Sequence, residues 1–323
     1  MNVADIAFDC MGTEMRVICE GPRAERATED ARAWLRDADA RLSRFRPGSE
    51  LCALNADPRD VVPASALLCA AVAAGRWAAE RTGGLVDPTL VADLCRTGYA
   101  RSRAGVAPAP LAAAIASAPP RQPAAPRPGA AWRGIVVDRA DGTIRRPAGV
   151  AIDTGGTGKG LAADTVTRRL AGVPRFAVDC GGDIHVGGPE AAGRPFEVEV
   201  EHPLTGEVAH VLRVRGGGVA TSGIGSRIWR RPDGTFAHHL LDPGTGEPAW
   251  SGVLAATALA PTALEAETLA KAALLCGPIG ARRVLAVGGG LIVHDDGDVE
   301  LVGPVRAAAM PRLTVRLGGG PVA

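Results

Sequence analysis

The segment AIDTGGTGKGLAAD, residues 151–164, places four glycines between a carboxylate at Asp153 and the start of a helix-forming run, with an ammonium at Lys159. Backbone N–H groups of a Gly-rich turn, added to the dipole of the helix that follows, favour a bound phosphate. Lys159 adds a point charge. The segment is not a nucleotide P-loop: Asp153 stands where the first Gly belongs, and Gly160 where the Mg²⁺-binding Ser/Thr belongs. It is not a dinucleotide fingerprint either, because no βαβ unit surrounds it. By itself it also reads as a plain Gly-rich turn with a solvated Lys159.

HHLLDPGTGEP, residues 238–248, puts two His residues before a tight turn. Either could be a general base, and strand alternation lets one of them face a given site. A lone His at such a place is also commonly structural. DCGGDIHVGG, residues 179–188, reads as a backbone bend at Gly181-Gly182, structural in role. On the run 262–276, Glu267 and Lys271 share a helix face at spacing i, i+4 and can pair.

The elements that must position these groups follow from periodicity. Residues 6–19 read as two strands around a Gly12-Thr13 turn, and residues 24–43 as an amphipathic helix. A second helix is predicted over 62–82, ending at Gly83-Gly84. Residues 104–131 are Ala/Pro-rich and read as a loose surface connection with a short helix near 110–117. Short strands are expected at 134–138 and 143–146. A strand should run into the Gly-rich turn, followed by a helix over 158–172. Residues 196–216 alternate as a hairpin with Phe196, Val198 and Val200 inward, and 284–302 read as another hairpin turning at Asp295–Asp298. Thr262 followed by Glu265 is a capping box for the helix 262–276, which Gly277-Pro278 ends. Hairpins with helices interspersed make the fold class α+β.

Composition narrows the field. At 323 residues the chain suits one domain spanning 1–323, and 3% aromatics means a core of Leu, Val, Ile and Ala. A net charge of +1 gives no argument for nucleic acid or an acidic membrane. Seven scattered cysteines without a CxxC pair, and no signal-like start or apolar span, lead to the expectation of a cytoplasmic protein with free thiols and no membrane insertion.

Six segments occur together in an informative order: FDCMGTEMRV (8–17), SRFRPGSELCALN (43–55), GGLVDPTL (83–90), AIDTGGTGKGLAAD, VDCGGDIHVGG (178–188), and TSGIGSRIW with HHLLDPGTGEP (221–248). The helix EAETLAKAALLCG (265–277) follows them. In this combination, over residues 8 to about 300, the chain resembles the ApbE-like flavin transferases. The resemblance implies two interlocked halves with a flavin cleft between them. It implies FAD as substrate and transfer of FMN from FAD to a Ser/Thr hydroxyl of a target flavoprotein, with release of AMP. Two alternatives go with it: an FAD pyrophosphatase yielding FMN and AMP, or a non-catalytic FAD-binding homologue.

Residue by residue, the resemblance implies FAD contacts from Met11, Leu85, Val86, Asp87, Asp153 and Lys159. It implies His239 as the base beside the reacting phosphate, with Asp153 also in the catalytic set. For Mg²⁺ it implies the Gly156 carbonyl and a helix Asp and Thr; here those two positions read Glu267 and Lys271. Glu can bind a hard cation, whereas a protonated Lys cannot, so Lys271 is expected to substitute for part of the metal's charge.

Overall fold

The computed structural model describes residues 2–305 and the strand Thr314–Arg316. Of the span 1–323 expected to form one domain, residues 1, 306–313 and 317–323 lie outside the described residues.

Eight strands form the central sheet, and every neighbouring pair in it is antiparallel. In spatial order they are Val3–Cys10, Thr13–Glu20, Arg175–Asp179, Asp183–Gly187, Gly217–Gly223, Val253–Ala260, Gly290–His294 and Val299–Val302. The fold is α+β, as the hairpin pattern predicts. Among the described residues eight helices accompany the sheet: α1 (Ala24–Leu42), α2 (Glu50–Ala56), α3 (Ala66–Arg81), α4 (Val91–Arg96), α5 (Leu111–Ala116), α6 (Gly158–Arg169), α7 (Ala263–Leu275) and α8 (Gly277–Leu285).

The two faces of the sheet divide the helices from the hairpin. Met15, Val17, Phe176 and Val178 point to the side covered by α1 and α6. Ala220, Ala256 and Ala258 point the same way and meet Ala266, Ala270 and Ala273 of α7. Small side chains on both partners let α7 lie close on the sheet, which is how a chain poor in aromatics fills its core. On the opposite face Ile18, Ala177, Ile184 and Val219 meet Phe196, Val198 and Val200 of the hairpin formed by Phe196–Glu201 and Val208–Val214.

Helix boundaries follow local chemistry. Thr262 caps α7, its hydroxyl accepting from the Glu265 N–H at 3.2 Å. The helix expected from 62 starts at Ala66 instead, because Ser65 caps it and Val61–Pro63 pairs as a strand with Thr143–Arg145. The late hairpin starts at Gly290 rather than 284, because Val284 and Leu285 belong to α8, which Pro278 opens.

Two further expectations are revised. No strand leads into the Gly-rich turn. Ile152 is instead held by the side chain of Asn55, which donates to its carbonyl and accepts from its amide, each at 2.8 Å. One side chain thus supplies both bonds of a ladder. The Ala/Pro-rich connection does run over the surface, with a helix at Leu111–Ala116, but it is pinned rather than loose. Ala124 N–H donates to the Leu275 carbonyl at 2.9 Å, Ala125 N–H to Asp242 at 2.9 Å, and Gly244 N–H to the Ala125 carbonyl at 2.7 Å. No helix among the described residues is long and apolar enough to cross a membrane.

Candidate active site

A cavity of about 430 Å³ lies where the turns named above converge. Met11 and Gly12 reach it from the tip of the first hairpin, with φ of 50° and 72°. A left-handed non-Gly residue is strained backbone, and such strain concentrates at functional sites. Leu85, Val86 and Asp87 line the cavity from the loop after α3, and His239 from the chain after the strand Phe236–His238. Asp153, Gly156 and Lys159 line it from the Gly-rich turn, and Lys271 from α7. Every residue expected at the site therefore meets in one cavity, apart from Glu267, which lies beneath it.

The Gly-rich turn is locked on three sides. Asp153 N–H donates to the Pro88 carbonyl at 2.8 Å, which docks the turn on the LVDPT loop. The Asp153 carboxylate accepts from Gly155 N–H at 3.0 Å and sits 3.7 Å from the Arg44 guanidinium. Lys159 Nζ lies 2.8 Å from Asp183 Oδ2 and donates to the Gly181 carbonyl at 3.2 Å. Burial pulls the Lys159 pKa down, but the charges of Asp183 and Glu267 outweigh it and hold it above its ordinary value. The glycines are not interchangeable. A Cβ on Gly156 would meet only Val86 Cγ1, at 3.8 Å, so its smoothness leaves room for a ligand. A Cβ on Gly160 would lie 2.6 Å from the Ala263 carbonyl oxygen, so there glycine is what lets α6 touch α7.

That contact fixes Glu267, which is fully buried. Its Oε2 accepts from Gly160 N–H at 2.9 Å, and its Oε1 from Lys271 Nζ at 2.8 Å. Burial, and next the Asp183 charge, push the Glu267 pKa upward against the pull of Lys271. Asp164, at the end of the same sequence segment, accepts from the N–H groups of Ala263 and Leu264 and lies 2.6 Å from His185 Nδ1. It holds the first turn of α7 against α6.

As a magnesium site this arrangement does not fit. Both Glu267 oxygens already carry donors, and the Lys271 ammonium has no lone pair to give. No group of three or more His, Cys, Asp or Glu among the described residues could hold a metal ion.

The two adjacent His residues diverge. His238 is fully buried, edge-on to Trp250 at 4.9 Å between ring centroids, with Nδ1 accepting from Leu240 N–H. Burial lowers its pKa to about 3. His239 faces the cavity beside Tyr99, at 6.4 Å. Its Nδ1 has no hydrogen-bond partner, and burial together with the charge of Arg227 holds its pKa well below the usual range. Neutral imidazole is the form able to accept a proton. Tyr99 also stacks on Trp229 and meets Phe45, with Arg44 over both the Phe45 and Tyr99 rings. Of these rings Phe45 and Tyr99, set edge-on at 61° to one another, give the cavity an aromatic wall. Asp87 Oδ1 accepts from the Thr89 N–H and hydroxyl, while Oδ2 is buried without a partner.

Sequence reasoning did not single out Asp183, Arg44, Tyr99 or Arg227. Asp183 carried one usable signal: it stands two residues before His185 in a strand, so both face the same helices. The others lie on turns whose direction no periodicity encodes.

The matched family model covers residues 11–291 and describes the ApbE family. The chain belongs to that family. The FAD:protein FMN transferase of Escherichia coli (strain K12) is 33% identical over 138 residues, 42% of this chain and 39% of that protein. The chain thus spans well under half of that relative in the match. The FAD:protein FMN transferase of Treponema pallidum (strain Nichols) is 31% identical over 280 residues, covering 81% of this chain and 75% of that protein. The crystal structure of the ApbE protein from Thermotoga maritima is similar with a TM-score of 0.77 at 25% identity, covering 93% of this chain and 97% of that one. These ApbE-family matches agree with the sequence resemblance and with the antiparallel α+β sheet.

Proposed function

We propose that this ApbE-family chain is an FAD:protein FMN transferase. The observation that carries the reading is the convergence of Met11, the Leu85–Asp87 loop, the Asp153–Lys159 turn and His239 on one cavity. Its aromatic and aliphatic lining suits the flavin and adenine rings, and Lys159, Lys271 and Arg227 suit the pyrophosphate between them. We read the unpaired carboxylate oxygen of Asp87 as the acceptor for a ring N–H or a ribitol hydroxyl.

The reaction needs an oriented hydroxyl and neutralised phosphates. A Ser or Thr hydroxyl of a target flavoprotein gives its proton to His239. The hydroxyl oxygen bonds to the flavin-side phosphorus, the bond from that phosphorus to the bridging oxygen breaks, and AMP leaves with that oxygen. Asp153 keeps the turn and Arg44 in register. The names of the relatives support the same reading.

The test is incubation of the protein with FAD and a flavoprotein domain bearing an acceptor Ser/Thr. AMP and the acceptor mass are then followed. AMP together with flavin on the acceptor is expected. AMP with free FMN alone would make the chain an FAD pyrophosphatase. FAD binding without AMP would make it a binding-only homologue.

A further inference from the structure

We propose that the Lys271 ammonium, anchored by Glu267, takes the place of a divalent metal, so that FAD binds through its pyrophosphate without Mg²⁺. This deepens the reading of the cavity as an FAD site and rests on it.

Three observations carry the inference. First, Glu267 is committed. It is fully buried, one oxygen accepts from the Gly160 amide and the other from Lys271. A metal taking either oxygen would strand a buried donor. Second, the carboxylate has nowhere to go. The backbone of Ala263 and Leu264 lies within 2.6–2.8 Å of where a Cβ on Gly160 would be, so α6 and α7 are in contact around it. The same contact excludes a hydroxyl ligand at position 160. Third, Lys271 faces the cavity with its side chain 13% exposed, and one of its three N–H donors is spent on Glu267. Two donors remain for phosphate oxygens. Lys159, likewise on the cavity and held by Asp183, supplies a second ammonium.

The charge balance fits this assignment. Lys271 neutralises Glu267, and Lys159 neutralises Asp183. The paired ammonium groups then present oriented N–H donors, and Arg227 on the same cavity adds positive charge toward the phosphates. A divalent ion brought to the same place would face two ammonium groups and find both Glu267 oxygens already taken.

The experiment measures FAD affinity of the full chain by flavin fluorescence, in EDTA and in saturating Mg²⁺. The same Kd within about twofold is expected in both. A Kd that tightens about tenfold or more with Mg²⁺ overturns the inference while leaving the FAD site intact. Absence of FAD binding in both conditions overturns the reading of the cavity itself. As a second arm, Lys271→Thr with Glu267→Asp should lose about tenfold in affinity in EDTA and regain it with Mg²⁺. Loss that Mg²⁺ does not restore, in a variant whose circular dichroism is unchanged, counts against Lys271 occupying the metal position. Should the double variant not fold, the comparison on the natural sequence still decides.

Discussion

Lys159 Nζ and Asp183 Oδ2 stand 2.8 Å apart, and the pair joins the Gly-rich turn to the strand Asp183–Gly187. Asp183 is 1% exposed and Lys159 22%, so the pair is buried on its Asp183 side and opens on the cavity at Lys159. The partners come from segments that look independent in sequence, a phosphate-type turn and a Gly-Gly bend. Their pairing makes the ammonium a fixed feature of the cavity wall rather than a mobile side chain.

Asp183→Asn should therefore cost stability out of proportion to its size. Removing one partner of a buried pair leaves an uncompensated charge, and the expected loss is about 3 kcal/mol. Adding Lys159→Met to Asp183→Asn should recover much of that loss, because the stranded charge goes too. Urea denaturation of the single and double variants checks it. A double variant whose loss equals the sum of the losses of Asp183→Asn and Lys159→Met would show that the pair is not coupled.

His239→Ala should lower the transfer rate by about 10²–10³-fold while leaving FAD affinity nearly unchanged. His238→Ala should instead lower stability, since that ring is buried against Trp250 and not on the cavity. The depressed pKa of His239 gives a sign for the pH profile. The base stays neutral well below its ordinary range, so the acid limb of kcat/KM should fall below pH 6.5. An acid limb at or above 6.5, or two variants that behave alike, would remove His239 as the base.

The sequence pattern located most of this site because its signals are local. Glycines before a helix, a capping Thr262 and an alternating Phe196–Glu201 each act within a few residues. What stayed hidden depends on distant backbone. Gly160 looked like a defect in a P-loop; it is glycine because α7 lies against it. Glu267 and Lys271 were legible as a helix pair, but the Gly160 amide on the other oxygen belongs to a segment more than a hundred residues away. Asn55 standing in for a strand at Ile152 has no periodic trace at all.

Stability should carry a signature of His238. Its folded pKa is near 3, against 6.5 for the ordinary residue. Between those values the unfolded chain binds a proton that the folded chain does not. The contribution is full above pH 6.5 and is lost as pH falls toward 3, at about 1.4 kcal/mol per pH unit. Burial pushes Asp179 up to about 6, which works in the opposite direction, so the readable quantity is a difference between proteins. Unfolding free energies of the natural sequence and His238→Phe, measured from pH 7 to 5, should diverge, reaching that slope below about pH 6. Parallel curves would mean that His238 titrates in the fold as it does in the unfolded chain.

The last expectation separates two glycines of one turn. Gly160→Ala places a methyl 2.6 Å from the Ala263 carbonyl oxygen, and that neighbour is backbone, so α6 and α7 must part. Overpacking of this kind costs about 1–3 kcal/mol. It should also weaken FAD binding indirectly, since Glu267 loses the Gly160 amide and Lys271 loses its anchor. Gly156→Ala meets only Val86 Cγ1, at 3.8 Å, and its φ lies outside the left-handed region. Its stability should stay within about 0.5 kcal/mol of the natural sequence. The added methyl nevertheless enters the space that the turn leaves for a ligand, so FAD affinity should fall about tenfold or more. Thermal melts with flavin titrations on both variants distinguish the roles. If Gly156→Ala binds FAD normally, the turn does not cradle the dinucleotide. If Gly160→Ala is as stable as the natural chain, the contact that fixes Glu267 is looser than the packing around it implies.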